Sequence, residues 1–156
     1  MTRQSDDTPG VIAPPPLITV GLIAGGFILD SFWPVSLPDL ALDPLPGILA
    51  LTAGFLVSAW TVLEFVRHGT NPDPYRPTTA IITTGPFRFS RNPIYLAFAL
   101  MHAGVGIWTG KLWVVAMLLP AIAIVRYGVI AQEERYLERK FGDAYVAYKN
   151  SVRRWL

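Results

Sequence analysis

Four apolar runs alternate with polar, turn-rich segments along the chain. Leu17 to about Trp33 is the first, interrupted only by Thr19, Asp30 and Ser31. Pro34, Pro38, Pro44 and Pro46 mark residues 34–46 as a loop. Gly47 to Val66 is the second run, and as a helix it spans ~30 Å at ~1.5 Å per residue, the thickness of a bilayer core. Residues 67–93 are polar and rich in turn formers, and Pro72 disfavours helix at the residue before it. Ile94 to Trp108 is a third run, short for a full span. Thr109-Gly110-Lys111 reads as a turn. Leu112 to about Ala131 is the fourth run, with a kink expected at Pro120. Residues 94–131 thus predict a tight helical hairpin, and from Gln132 the pattern becomes amphipathic. The expected fold is all-α: a polytopic membrane helical bundle with four transmembrane helices and a C-terminal amphipathic helix. Residues 1–16, polar and then Pro-rich, are expected to be a mobile tail ahead of a single domain, 17–156.

Composition supports a membrane protein. Of 156 residues, 52% are apolar and 15% charged, against about 25% charged in average proteins. Mean hydropathy is +0.40. Lys and Arg collect in 1–16, 67–93 and the C-terminal part, Lys111 excepted, and the loop 34–46 has none. That bias predicts both termini inside and the polar segments facing the cytoplasm, and the short chain with four spans suggests a prokaryotic inner membrane. No basic stretch precedes the first run, so a cleaved signal peptide is not expected. The absence of Cys excludes disulfides and cysteine nucleophiles,. His68 and His102 alone do not make a metal centre, and a net charge of +2 gives no reason to expect nucleic acid. Gly21-x-x-x-Gly25 permits close helix packing, but ordinary membrane-helix glycine is the preferred reading.

Polar chemistry gathers at both ends of the hairpin. Gly85-Pro86-Phe87-Arg88-Phe89-Ser90-Arg91-Asn92-Pro93-Ile94-Tyr95 precedes it; Gln132-Glu133-Glu134 and Phe141-Gly142-Asp143-Ala144-Tyr145 follow it. Asn92-Pro93 reads as a helix start, Asn as N-cap and Pro at the first helical position. The free N–H groups of such a start suit a carboxylate or phosphate. Arg88 and Arg91 stand beside it, as headgroup contacts or as carboxylate forks. Glu133, Leu137, Phe141, Tyr145, Tyr148 and Val152 trace one helical face if Gly142 does not interrupt it. This phase turns Glu133 inward and Glu134 about 100° away, aligned with Glu138. Glu133 then needs a partner, and Arg91, Arg88 or a bound cation are the candidates. Tyr95 is either an interfacial aromatic or a ligand contact. Tyr145 and Tyr148 read as packing residues and His102 as a hydrogen-bonded core residue. Arg, a helix start, Tyr and Glu together suit a zwitterionic ligand with an aromatic part; amino acids, nucleotides and lipid headgroups all fit.

Gly85-Pro86-Phe87-Arg88, Arg91-Asn92-Pro93-x-Tyr95, Glu133-Glu134 and Phe141-Gly142-x-x-Tyr145-x-x-Tyr148 resemble the integral-membrane methyltransferases. These include isoprenylcysteine carboxyl methyltransferase and the related phospholipid N-methyltransferases. The resemblance covers about residues 67–156. It implies a binding site for S-adenosyl-L-methionine at the cytoplasmic membrane face without a Rossmann domain, and no Gly-x-Gly-x-x-Gly follows a strand pattern here. By this resemblance Ile81, Ile82, Phe87, Arg88, Arg91, Asn92, Pro93, Tyr95, Glu133 and Glu134 form the cofactor site. The implied acceptor is a lipid-like or prenylcysteine-like amphiphile drawn from the bilayer. No catalytic residue is assigned.

Three positions depart from the family pattern. Asn92 stands where many members have His. Val129 stands where eukaryotic prenylcysteine enzymes place an arginine, with Arg126 a turn earlier as a candidate substrate contact. The ending Val152-Arg153-Arg154-Trp155-Leu156 replaces Val-Pro. Methylation of a carboxylate is favoured, with phospholipid N-methylation as the alternative. A non-catalytic membrane scaffold and a nicotinamide-dependent membrane reductase remain the readings from other classes. Oligomeric state is open.

Overall fold

The computed structural model describes residues 8–37 and 43–156. Apart from one isolated bridge, every regular element among them is helical. α1 (Pro15–Phe32) begins two residues before the predicted run, because Pro15 and Pro16 occupy its first turn, where a missing N–H costs no bond. α2 (Leu45–Arg67) likewise takes in Pro46. A short 3₁₀ turn (Gly85–Arg88) leads to α3 (Pro93–Trp108). The fourth run folds as α4 (Leu112–Ala116), α5 (Leu118–Ile124), a π-helical turn (Val125–Ile130) and α6 (Ala131–Phe141), with α7 (Asp143–Ser151) after it.

Three helical stretches are long and apolar enough to cross a membrane: α1, α2 and Leu112–Phe141. α3 fills the third predicted run but is shorter, at 16 residues. Only 17% of the apolar window is buried in α1 and in α2. Side chains such as Leu17, Ile28, Phe55, Leu56 and Leu63 point outward, an apolar exterior that water would penalise and a bilayer accepts.

The helices approach closely at glycines. α2 makes its most extensive contact with α3. A Cβ at Gly47 would lie 2.3 Å from the Trp108 nitrogen, and one at Gly104 2.7 Å from the Leu51 nitrogen. Gly26 meets Val114 of α4 in the same way at 2.6 Å, whereas Gly21 and Gly25 face open space. The preferred reading of Gly21-x-x-x-Gly25 therefore stands, and the packing glycine is the next one along.

The expected kink falls three residues before Pro120. That proline has no N–H to give the Ala116 carbonyl, and α4 ends at Ala116,. The π turn was not anticipated. At the far end of the bundle, Ser36 bridges Lys111, Leu112 N–H donates to Val35 O at 3.0 Å, and the Lys111 ammonium bonds the buried Asp30 carboxylate. The lone outlying cation is thus neutralised within the fold.

The segment expected as a tail is packed from Pro9 onward; residues 1–7 lie outside the described residues. Val11 is buried with Tyr95, Val125, Val129 and Ile130. Ile12 N–H donates to Gly128 O at 3.4 Å, with the Ile12 side chain filling the space a Cβ on Gly128 would need.

Candidate functional site

A cleft lies between the start of α3, the 3₁₀ turn, loop 71–82, α6 and α7. Its empty space, open mouth included, is ≈ 830 Å³. Nine of the ten residues expected at a cofactor site line it: Ile81, Ile82, Phe87, Arg91, Asn92, Pro93, Tyr95, Glu133 and Glu134. Arg88 does not; it points to a shallow surface depression beside Thr83 and Ala144. Arg126 is also outside, exposed and stacked on the Tyr127 ring at 5.6 Å.

The 3₁₀ turn is held by α2. Gly85 has φ +57°, and a Cβ there would sit 2.6 Å from the Glu64 side chain, so both backbone and space demand glycine. Buried Glu64 accepts from Thr84 Oγ1 at 2.6 Å and Arg67 at 2.7 Å. His68 Nδ1 lies 2.9 Å from the Glu64 carbonyl. The Phe87 ring packs edge-on to Phe65 at 5.6 Å, and its carbonyl accepts the Tyr148 hydroxyl at 2.7 Å. Phe87 is thereby fixed in the cleft wall from α2 and from α7.

Asn92 occupies the N-cap position of α3, but its side chain makes no cap bond. Its amide donates instead to the Arg154 carbonyl at 2.9 Å, while its own carbonyl accepts from Tyr95 and Leu96 N–H. Pro93 has no N–H. The helix start therefore offers fewer free donors than the Asn-Pro reading expects.

Both glutamates face inward, which corrects the predicted phase. Glu134 is the deeper, 5% exposed. It accepts from Arg154 Nε at 3.1 Å and Arg154 Nη2 at 2.6 Å, and Arg91 Nη2 lies 3.2 Å away. Glu133 accepts the Tyr95 hydroxyl at 2.6 Å. Of the partners open to Glu133, Arg91 thus pairs with Glu134 instead. The reason lies upstream: Val129 and Ile130 are both fully buried, and at i+4 they turn residues 133 and 134 alike toward the interior. Glu138 is relieved of repulsion by Lys149.

Gly142 does interrupt the helix, with φ +54° closing α6. The stripe nevertheless continues into α7, where Tyr145 and Tyr148 are buried. Burial pushes the Tyr148 hydroxyl up to about 12, with Arg91 opposing; burial and the Glu134 charge push Tyr145 higher still. Both are neutral phenols near neutral pH and do not act as bases there. His102 is a buried core residue whose Nε2 lies 2.9 Å from Val114 O, as expected.

Sequence reasoning missed Asn71, Asp73, Thr78 and Tyr136 in the cleft wall, and the part played by Arg154. Asn71-Pro72-Asp73-Pro74 carries a signal, since its Asx residues bond their own backbone: Asp73 N–H to Asn71 Oδ1 and Tyr75 N–H to Asp73 Oδ1, both 2.9 Å,. The Tyr136 hydroxyl accepts from Thr78 N–H at 3.1 Å and ties this loop to α6.

Long apolar helices with outward-facing apolar side chains, and a cleft lined by both apolar and charged side chains, define an integral membrane protein. The family model for phospholipid methyltransferases matches residues 43–144, and the chain belongs to that family. It is 27% identical over 127 residues to the nickel-cobalt-cadmium resistance protein NccN of Alcaligenes xylosoxydans xylosoxydans, covering 81% of this chain and 54% of that one. An uncharacterized protein of Haemophilus influenzae is 40% identical over 63 residues, 40% of this chain and all of its own. The cobalt-zinc-cadmium resistance protein CzcN of Cupriavidus metallidurans is 35% identical over 68 residues, 44% of this chain and 32% of that one. The chain thus spans about half of NccN and a third of CzcN. Among the described residues, no group of three or more His, Cys, Asp or Glu is placed to hold a metal ion. No solved structure gives a significant match.

Proposed function

We propose that the chain transfers a methyl group from S-adenosyl-L-methionine to a lipid-like amphiphile at the cytoplasmic face of the membrane. The observation that carries this is Arg91. Its side chain is 8% exposed and lines the cleft, yet its Nε and Nη1 have no hydrogen-bond partner among the described residues. Buried charged donors left unmade are costly, and a ligand carboxylate satisfies them. Glu133, bonded to Tyr95 but to no cation among the described residues, suits the ligand's ammonium group. Phe87 and Tyr95 line the cleft, and aromatic rings there suit a sulfonium. The donor set therefore fits the amino-acid end and the charged sulfur of this cofactor.

S-Adenosylmethionine supplies a methyl group activated for displacement, with sulfur keeping the bonding electrons. The protein's task is to align acceptor and methyl at about 3–3.5 Å and to exclude water. Pro9 and residues of loop 71–80 form part of the cleft wall. Lys and Arg placement supports inside termini, four spanning elements including the short α3, and a cytoplasmic cleft. A carboxylate acceptor needs no general base. With Arg126 turned away from the cleft, no second arginine lines it among the described residues for such a substrate, and the family description supports a phospholipid amine as the second reading.

Incubation of purified protein with methyl-labelled cofactor and total membrane lipid, followed by mass analysis, tests the proposal. Label that alkali releases as methanol identifies a methyl ester, and label that stays on the amine identifies a methylated amine. Labelling of no lipid in bilayers of several compositions would refute lipid methyl transfer.

A further inference from the structure

The geometry points to Arg154 as a positioning residue that occupies Glu134 and so keeps the Arg91 guanidinium free for a ligand carboxylate. This rests on the cleft binding S-adenosylmethionine. Arg91, Arg154 and Glu134 form one cluster with two positive charges and one negative. A guanidinium beside a single carboxylate ordinarily takes both oxygens in a fork. Arg154 has that fork: its Nε reaches Oε1 at 3.1 Å and its Nη2 reaches Oε2 at 2.6 Å. Arg91 is left with one contact through Nη2 at 3.2 Å, and with Nε and Nη1 buried and unbonded. The cluster therefore holds a surplus positive charge and two unmet donors on a side chain that lines the cleft.

Arg154 is itself fastened in place. Its carbonyl accepts from Asn92 Nδ2 at 2.9 Å and Ser90 Oγ at 3.3 Å, and the Arg91 N–H donates to Arg153 O at 3.0 Å. Trp155 packs against the cluster that contains Tyr95. The strand of chain carrying Arg154 thus clamps the same turn that carries Arg91. Without Arg154, Glu134 draws Arg91 into the fork and the donors turn away from the ligand. Arg154 lies beyond the residues matched by the family model, which end at 144.

A purely structural staple would also bond Glu134, so the test must separate the two roles. Binding of S-adenosylhomocysteine is compared with that of its decarboxylated analogue, by calorimetry on protein in lipid nanodiscs. Arg154→Gln is expected to weaken S-adenosylhomocysteine by roughly 10–100-fold, the value of hydrogen bonds to a charged group, and to leave the analogue nearly unchanged. Adding Glu134→Gln removes the competitor for Arg91 and is expected to restore the lost affinity. Arg154→Lys, which keeps charge but cannot fork both oxygens, is expected to shift affinity in the same direction and serves if the Gln variant does not fold. Equal loss for both probes, no loss for either, or no recovery in the double variant overturns the assignment. Wild-type protein that binds neither probe overturns the nucleoside reading of the cleft and this role with it. Wild-type binding of both with no effect of Arg154→Gln overturns the role of Arg154 alone.

Discussion

The Tyr95 hydroxyl donates to Glu133 at 2.6 Å, joining the first turn of α3 to α6 across the cleft. The bond fixes the one cleft glutamate that has no cationic partner among the described residues. Replacing Tyr95 by Phe removes a buried hydrogen bond, and the expected loss of stability is about 0.5–1.5 kcal/mol. Unfolding in detergent micelles measures it. Glu133→Gln keeps the shape and removes the charge; its expected signature is weaker S-adenosylhomocysteine binding with little change in unfolding.

The glycine contacts between helices predict a contrast within one residue type. Gly47→Ala places a methyl 2.3 Å from the Trp108 backbone and should destabilise by about 1–3 kcal/mol through overpacking. Gly21→Ala meets nothing within 4 Å and should be neutral or stabilising, by up to ~1 kcal/mol of helix propensity. Equal effects at the two sites would contradict the packing described.

Gly85→Ala carries two penalties, a left-handed backbone and a clash with Glu64. A loss of about 1–3 kcal/mol is expected from the backbone strain. Because the 3₁₀ turn carries Phe87 into the cleft, ligand affinity should fall too. Unfolding and calorimetry on the same preparation check both.

Tyr148 predicts an alkaline effect. Its folded value of about 12 lies above the ordinary 10.0. Below about pH 10 both folded and unfolded states hold the proton, and its contribution is complete. As pH rises from 10 toward 12 the unfolded state ionises first, so stability falls. Tyr148→Phe should be less stable at neutral pH by about 0.5–1.5 kcal/mol, having lost the bond to Phe87 O,. It should also lose less stability than wild type between pH 10 and 12. A pH series of melting temperatures gives the comparison.

Hydropathy located the helices because each apolar run is long, and Pro and Gly marked their ends to within a few residues. It did not reveal the π turn at Val125–Ile130, which leaves no compositional mark. Nor did it show the packed stretch from Pro9, whose few apolar side chains matter only once α3 and the π turn are placed. At the site, the residue types of the two motifs brought Arg91, Tyr95 and both glutamates into one cleft. The pairing within it was not legible, since helical phase counted forward from Glu133 ignored Val129 and Ile130 behind it. Arg154 was out of reach for a different reason: its link to Glu134 spans a helix break at Gly142 and a second helix.

The most direct test is calorimetric binding of S-adenosylhomocysteine to the purified protein in lipid nanodiscs, beside Arg91→Gln and Glu133→Gln. The account predicts saturable one-site binding to wild type, weakened by roughly 10–100-fold in each variant, with both variants still folded. Absence of binding to folded wild-type protein, or binding that neither substitution weakens, would contradict it.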